Sequence, residues 1–182
     1  MTNRATKGTN GFLLRPGIIN PQSWYPDRPP KAEWDRIRKI VLERDNYTCC
    51  GCGHRAIKYM NVHHLEESDI NAPGNLITIC IACHAVLHIG RNLDLQVIEI
   101  WESSLSQVEI VQRTRSGVKK GLTLAEINES FKLKPGPYSP NSLRYANDLI
   151  QKVEKKPRAY LDEPLCAVFV NLKRWQLEQD SE

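Results

Sequence analysis

The sequence predicts an α+β chain: a small metal-stapled core of strands and helix, preceded by an extended arm and followed by a mostly helical region. Three observations predict it. Two Cys-x-x-Cys pairs, Cys49/Cys52 and Cys80/Cys83, are separated by 27 residues. Four of the five histidines, His63, His64, His84 and His88, fall within 26 residues. Around them, the apolar spacing alternates between strand-like and helical.

The elements follow in order. Residues 1–31 carry Gly8, Gly11, Pro16, Gly17, Pro21, Pro26, Pro29 and Pro30, too much punctuation for a helix. This is the arm, with Trp24 and Tyr25 able to pin it to the body. Trp34, Ile37, Ile40 and Val41 recur at helical spacing, so 32–45 is a helix, stopped at Asp45-Asn46. Residues 46–58 form a knuckle around Cys49 and Cys52. Residues 59–65 and 76–79 read as strands, joined by a polar loop with Pro73 and Gly74. A helix runs from about Cys80 to His88, with Gly90 as its stop. The core domain thus spans 32–92, and 93–182 forms the third region.

In that third region, Leu95, Val97, Ile98, Ile100 and Trp101 fit strand or helix, and 104–120 is helix-like. Thr123 caps a short helix, with Glu126 in the reciprocal position of a capping box. Pro135, Gly136, Pro137 and Pro140 break the chain before helices at Ser142–Val153 and about Leu165–Gln179. The segments 123–131 and 142–153 invite comparison with a helix-turn-helix, but their Pro-rich connection is atypical, which favours a helical cover or partner surface.

Composition bounds the function. The 182 residues are 41% hydrophobic and 25% charged, a globular balance. No run of about 18 apolar residues offers a membrane span, and no apolar stretch follows the first basic residues as a secretory signal would. A cytoplasmic location is therefore expected. The net charge of +4 is uneven: residues 1–58 hold 11 Lys/Arg against 5 Asp/Glu, and the remainder 14 against 16. A basic end directly before the motifs suits a phosphate backbone, although a solvated surface gives the same count.

Paired Cys-x-x-Cys spacing in such a chain points to metal rather than disulfides. Four thiolates match tetrahedral Zn2+ in a closed, structural site. Cys50 and Cys166 are left over as buried fillers. His63 and His64, adjacent on a strand, face opposite ways, while His84 and His88, four apart on a helix, share a face. One of His63 or His64 can therefore join His84 and His88 on a second metal, and the other lies beside it. Three ligands with open positions describe a catalytic ion. His54, outside this pattern, reads as a core histidine.

The stretch Arg44-Asp45-Asn46-Tyr47-Thr48-Cys49, Val62-His63-His64-Leu65, Asn75 to His84, and His88 resembles the HNH endonucleases over residues 34–91, about a third of the chain. The resemblance implies a ββα-metal (His-Me finger) core. It makes His64 the general base, Asn75 the residue that steadies the loop and the base, His88 a metal ligand, and His63 and His84 further ligands. It implies double-stranded DNA as partner and a divalent metal (Mg2+, Mn2+, Ni2+ or Zn2+), of which magnesium suits three imidazoles least. Such domains serve phage DNA processing, restriction or anti-phage defence, and homing. The loop between His64 and Asn75 is shorter than in many zinc-bearing members and carries Glu66, Glu67 and Asp69, which would repel phosphate if they faced the cleft.

Arg91 follows the metal helix and offers a phosphate clamp, or simply a helix-end cation. Arg36, Lys39 and Arg44 are further candidates for the nucleic-acid backbone. The C-terminal region could support a homodimer or a protein partner. The competing readings are a zinc-stapled module that binds nucleic acid without cutting it, and a zinc domain for protein contacts, which would leave the histidines unexplained.

Overall fold

A computed structural model describes residues 11–17, 29–65 and 71–172. The elements are α1 (Lys31–Arg44), β1 (Met60–His64), β2 (Leu76–Cys80), α2 (Ile81–Leu87), α3 (Ile89–Asp94), β3 (Ile98–Glu102), α4 (Gln107–Lys119), α5 (Leu124–Glu129), α6 (Leu143–Lys155) and β4 (Leu165–Phe169). The architecture is mixed α+β, with two antiparallel pairs, β1–β2 and β3–β4. No described helix is long and apolar enough to cross a membrane.

Pro30 opens α1, and its carbonyl accepts the Glu33 and Trp34 N–H groups. Ile37 and Val41 then bury one stripe of the helix against Leu76 of β2, with Trp34 and Val62 at the edge. β1 pairs with β2 from Met60↔Cys80 to His64↔Leu76. All five residues of β2 are buried, the polar Thr78 included, whose hydroxyl donates to the Val41 carbonyl at 3.4 Å. Cys80 ends β2 and caps α2, its Sγ accepting the Cys83 N–H. Strand, loop and helix are thereby joined at the cysteines.

The expected stop at Gly90 is not observed. α2 breaks at His88 (φ −112°, ψ 53°), and Gly90 lies inside α3. A Cβ at position 90 would lie 3.4 Å from the Ala146 Cβ, an ordinary contact distance, which shows how closely α3 packs on α6. Buried Asn92 holds the break by donating from Nδ2 to the Ala85 and His88 carbonyls at 3.1 and 2.9 Å. The 11–17 part of the arm also packs here: Gly17 exchanges backbone bonds with Val86 and Ile89, and Leu14 is buried. Trp24 and Tyr25 lie outside the described residues.

The capping boxes Ser106/Glu109 of α4 and Thr123/Glu126 of α5 both form. The helix expected from Leu165 is instead strand β4 over Leu165–Phe169; positions 173–179 of that expectation lie outside the described residues. Five apolar residues in a row satisfy either structure, and the distant partner decided: β4 pairs with β3 from Ile98↔Phe169 to Glu102↔Leu165. The buried Gln107 amide completes β4, accepting the Ala167 N–H (2.7 Å) and donating to its carbonyl (2.9 Å). α5 rests on α4 and β4 while α6 rests on α3, an arrangement in which each helix covers the core. The core is continuous from Leu14 and the cysteines through β3, α4 and β4 to Phe169.

Candidate metal centres

Cys49, Cys52, Cys80 and Cys83 are buried, with ligand atoms all within 4.8 Å of one another. Cys52 and Cys80 Sγ are 3.7 Å apart. Zinc–sulfur bonds of about 2.3 Å define a tetrahedron with an edge of about 3.8 Å, so the four sulfurs fit one structural metal such as zinc. The knuckle is set by backbone bonds from Cys49 N to His54 O, Gly53 N to Cys49 O and Cys50 N to Thr78 O. Gly51 is needed for closeness, since a Cβ there would meet Cys83 Sγ at 3.0 Å.

The thiol acidities point the same way. Hydrogen bonds from the thiols of Cys52, Cys80 and Cys83 pull Cys49 far below its ordinary value. Burial pushes Cys80 and Cys83 well above theirs. One buried negative charge is stable in this cage and four are not, unless a cation joins them. Cys50 and Cys166 stand apart; burial pushes each thiol up to about 11, which leaves both as neutral core fillers.

His63, His84 and His88 form the second cluster, half-buried, with ring nitrogens within 4.8 Å of one another. His84 and His88 approach Nε2 to Nε2 at 3.0 Å, and the His63 ring stands edge-on to both, with centroids 5.5 and 5.8 Å away. Bonds of about 2.0–2.1 Å to one ion place neighbouring nitrogens about 3 Å apart, so this donor set fits a divalent metal. Burial pushes His63 down to about 3, helped by repulsion from His88 and His64, so its ring is neutral and offers a lone pair. Between the two adjacent strand histidines, His63 is the one that joins the cluster. His54 is outside it, half-buried at the knuckle.

His64 faces other partners. Its ring stacks on Trp34 of α1, with centroids 6.2 Å apart and planes 14° apart. Its Nε2 lies 3.0 Å from Asn71 Oδ1. Asn75 stands in a 3-10 turn, and its carbonyl accepts the Leu65 N–H at 2.8 Å, which closes the end of β1. Sequence reasoning singles out neither Asn71 nor the stacking role of Trp34. Asn71 is one polar residue among many in a loop, and Trp34 has the spacing of ordinary helix core. Glu66, Glu67 and Asp69 lie outside the described residues.

Arg44, expected toward nucleic acid, is a structural clamp. It bonds the Asp45 carboxylate through Nε and Nη2 (2.7 and 2.9 Å), and reaches the Pro73 and Leu76 carbonyls (2.6 and 2.8 Å). Asp45 in turn accepts the Thr78 N–H at 2.8 Å. Burial alone would raise the Asp45 carboxyl, but these bonds outweigh it and hold it below its ordinary value. Arg36, Lys39 and Arg91 are exposed, with Lys39 3.8 Å from Glu43.

Comparison with known proteins supplies two relatives. The chain is 33% identical over 75 residues to a protein of Lactococcus phage SK1 described as "Probable HNH endonuclease", a match covering 36% of this chain and 76% of the phage protein. It is 32% identical over 69 residues to the type 4 apparatus protein DotN of Legionella pneumophila, covering 36% of this chain and 32% of DotN. The chain therefore spans about a third of DotN. No family model matches the chain.

Proposed function

The chain belongs to the HNH endonuclease family, and from that premise we propose that it is a metal-dependent endonuclease hydrolysing phosphodiester bonds in DNA. β1, β2 and α2 read as its ββα-metal core, within a nuclease unit of about residues 32–92. The observation that carries the reading is the division between two neighbours on one strand. His63 converges with His84 and His88, while His64 is held apart from them by Trp34 and Asn71.

That division suits hydrolysis. An amide oxygen only accepts, so His64 Nε2 would carry the hydrogen, and in the neutral ring the lone pair would then lie on Nδ1. Nδ1 is then the general base: it takes a proton from water as the water oxygen bonds to phosphorus and the bond to the leaving oxygen breaks. The Trp34 face limits ring rotation and favours the imidazolium that forms. Asn75 fixes the strand end through Leu65. A divalent ion (Zn2+, Ni2+, Mn2+ or Mg2+) held by His63, His84 and His88 would supply positive charge to the non-bridging and leaving oxygens. Exposed Arg36, Lys39 and Arg91 are the candidate contacts to backbone phosphates.

The second relative is named for an apparatus rather than a nuclease, so the alternative is a stapled domain that does not cut, and a module that binds nucleic acid is its directly testable form. Incubation with supercoiled plasmid separates the two. The nuclease reading expects nicking or linearisation with added divalent metal and none with chelator. Retarded but intact plasmid under both conditions is the result expected of the module.

A further inference from the structure

The cysteine site has a neighbour that lies outside its motif. α4 turns Gln112 and Arg115, three residues apart and so on one helix face, toward the knuckle. Gln112 Nε2 donates to the Cys52 carbonyl at 2.8 Å. Arg115 Nη2 donates to Cys80 Sγ at 3.3 Å. Cys80 is fully buried at the junction of β2 and α2, so a charge on its sulfur has no water to meet it.

Four thiolates around a dication carry a net charge of about −2. In a buried site that excess is costly unless donors oppose it. A guanidinium N–H on a thiolate is a charge-assisted hydrogen bond, stronger than a neutral one. Groups that bond to metal ligands also fix ligand direction, and losing one typically weakens metal affinity about 10–100-fold. Cys80 is the pivot here, because it belongs at once to the cysteine cluster and to the strand that pairs with the His63–His64 strand, and it caps α2, the helix that carries His84 and ends at His88.

We propose that Arg115 is a charge-compensating positioning residue of the four-cysteine metal site, setting how tightly that site holds its ion and tying α4 to the knuckle. This places part of the metal site's control in the 93–182 region. It does not depend on whether the chain cuts DNA.

The test uses the full chain with Co2+ at the cysteine site, read by the thiolate-to-cobalt charge-transfer band and by competition with a chelator. Arg115→Met keeps the side-chain bulk and removes the donors; it should shift the band and weaken retention about 10–100-fold. Arg115→Lys keeps the charge and should restore part of both. Gln112→Met removes a brace to the same knuckle without touching a sulfur, and should leave the band in place. The proposal fails if Arg115→Met holds cobalt as tightly as the parent, or if Gln112→Met shifts the band equally, since packing by α4 would then explain both. If Arg115→Met does not fold, Arg115→Gln, which stays polar and drops the charge, carries the decision: a shifted band and weaker retention support the proposal, and parental values overturn it.

Discussion

The two candidate metal clusters meet on α2, which carries Cys83 and His84, but are built differently. The cysteine site gathers four buried sulfurs, a full coordination shell with a cationic side chain against it. The histidine site gathers three half-buried imidazoles and keeps a fourth beside them, out of the ligand set and fixed by neutral partners. A closed shell holds structure together, whereas an incomplete one leaves positions for a phosphate and for water. On the proposed reading, stability and chemistry fall to different ligands on neighbouring elements.

That contrast is broken or sharpened most strongly by ligand removal. Cys80→Ser should lower Tm by about 10 °C or more, because a structural metal contributes several kcal/mol of folding free energy. His88→Ala should leave Tm within about 3 °C, a change of about 1 kcal/mol or less. Thermal melts of the two variants with metal bound check this; equal losses would remove the distinction between the sites.

A smaller effect is expected beside the histidine cluster. Asn71→Leu should lower kcat about 10-fold, a fraction of the roughly 10²–10⁴-fold that a positioned general base contributes. Metal content should be unchanged. Nitrogen NMR of the His64 ring should show a mixture of tautomers in place of one, a signal that a purely structural role for Asn71 would not move.

The smallest effect concerns the frame common to both sites. Asp45 is held below its ordinary value by Arg44 and Thr78 after burial is overcome. Its stabilisation is therefore complete above the unfolded value of about 4 and is lost as pH falls through the lower folded value. Asp45→Asn, whose amide can still accept the Thr78 N–H, should cost about 1 kcal/mol at neutral pH and flatten that part of the acid limb in urea melts across pH. An unchanged limb would show that another carboxylate governs it.

How much of this was legible follows from how local each signal is. The cysteine cage was readable because two short spacings spell it out, and the pair His84/His88 because helical periodicity puts them on one face. Which of His63 and His64 would ligate was not fixed by alternation alone; that choice needs the strand register against Leu76 and Ile77 and the helix behind it. The α5 capping box, Thr123 with Glu126, was readable from its three-residue spacing; the matching box of α4 emerges only in the structure. β4 was not, because five apolar residues carry no period and their partner lies over 60 positions away. Arg44 resembled a phosphate contact because its carbonyl partners at Pro73 and Leu76 are remote in sequence. Arg115 was invisible for the same reason.

The central claim is that His64 acts as a base without being a metal ligand. It is tested most directly by measuring metal content, DNA retention and plasmid cleavage for His64→Ala beside the parent. The expected result is unchanged metal and DNA binding with cleavage reduced about 10²–10⁴-fold. Cleavage at the parental rate, or loss of bound metal together with activity, would contradict it.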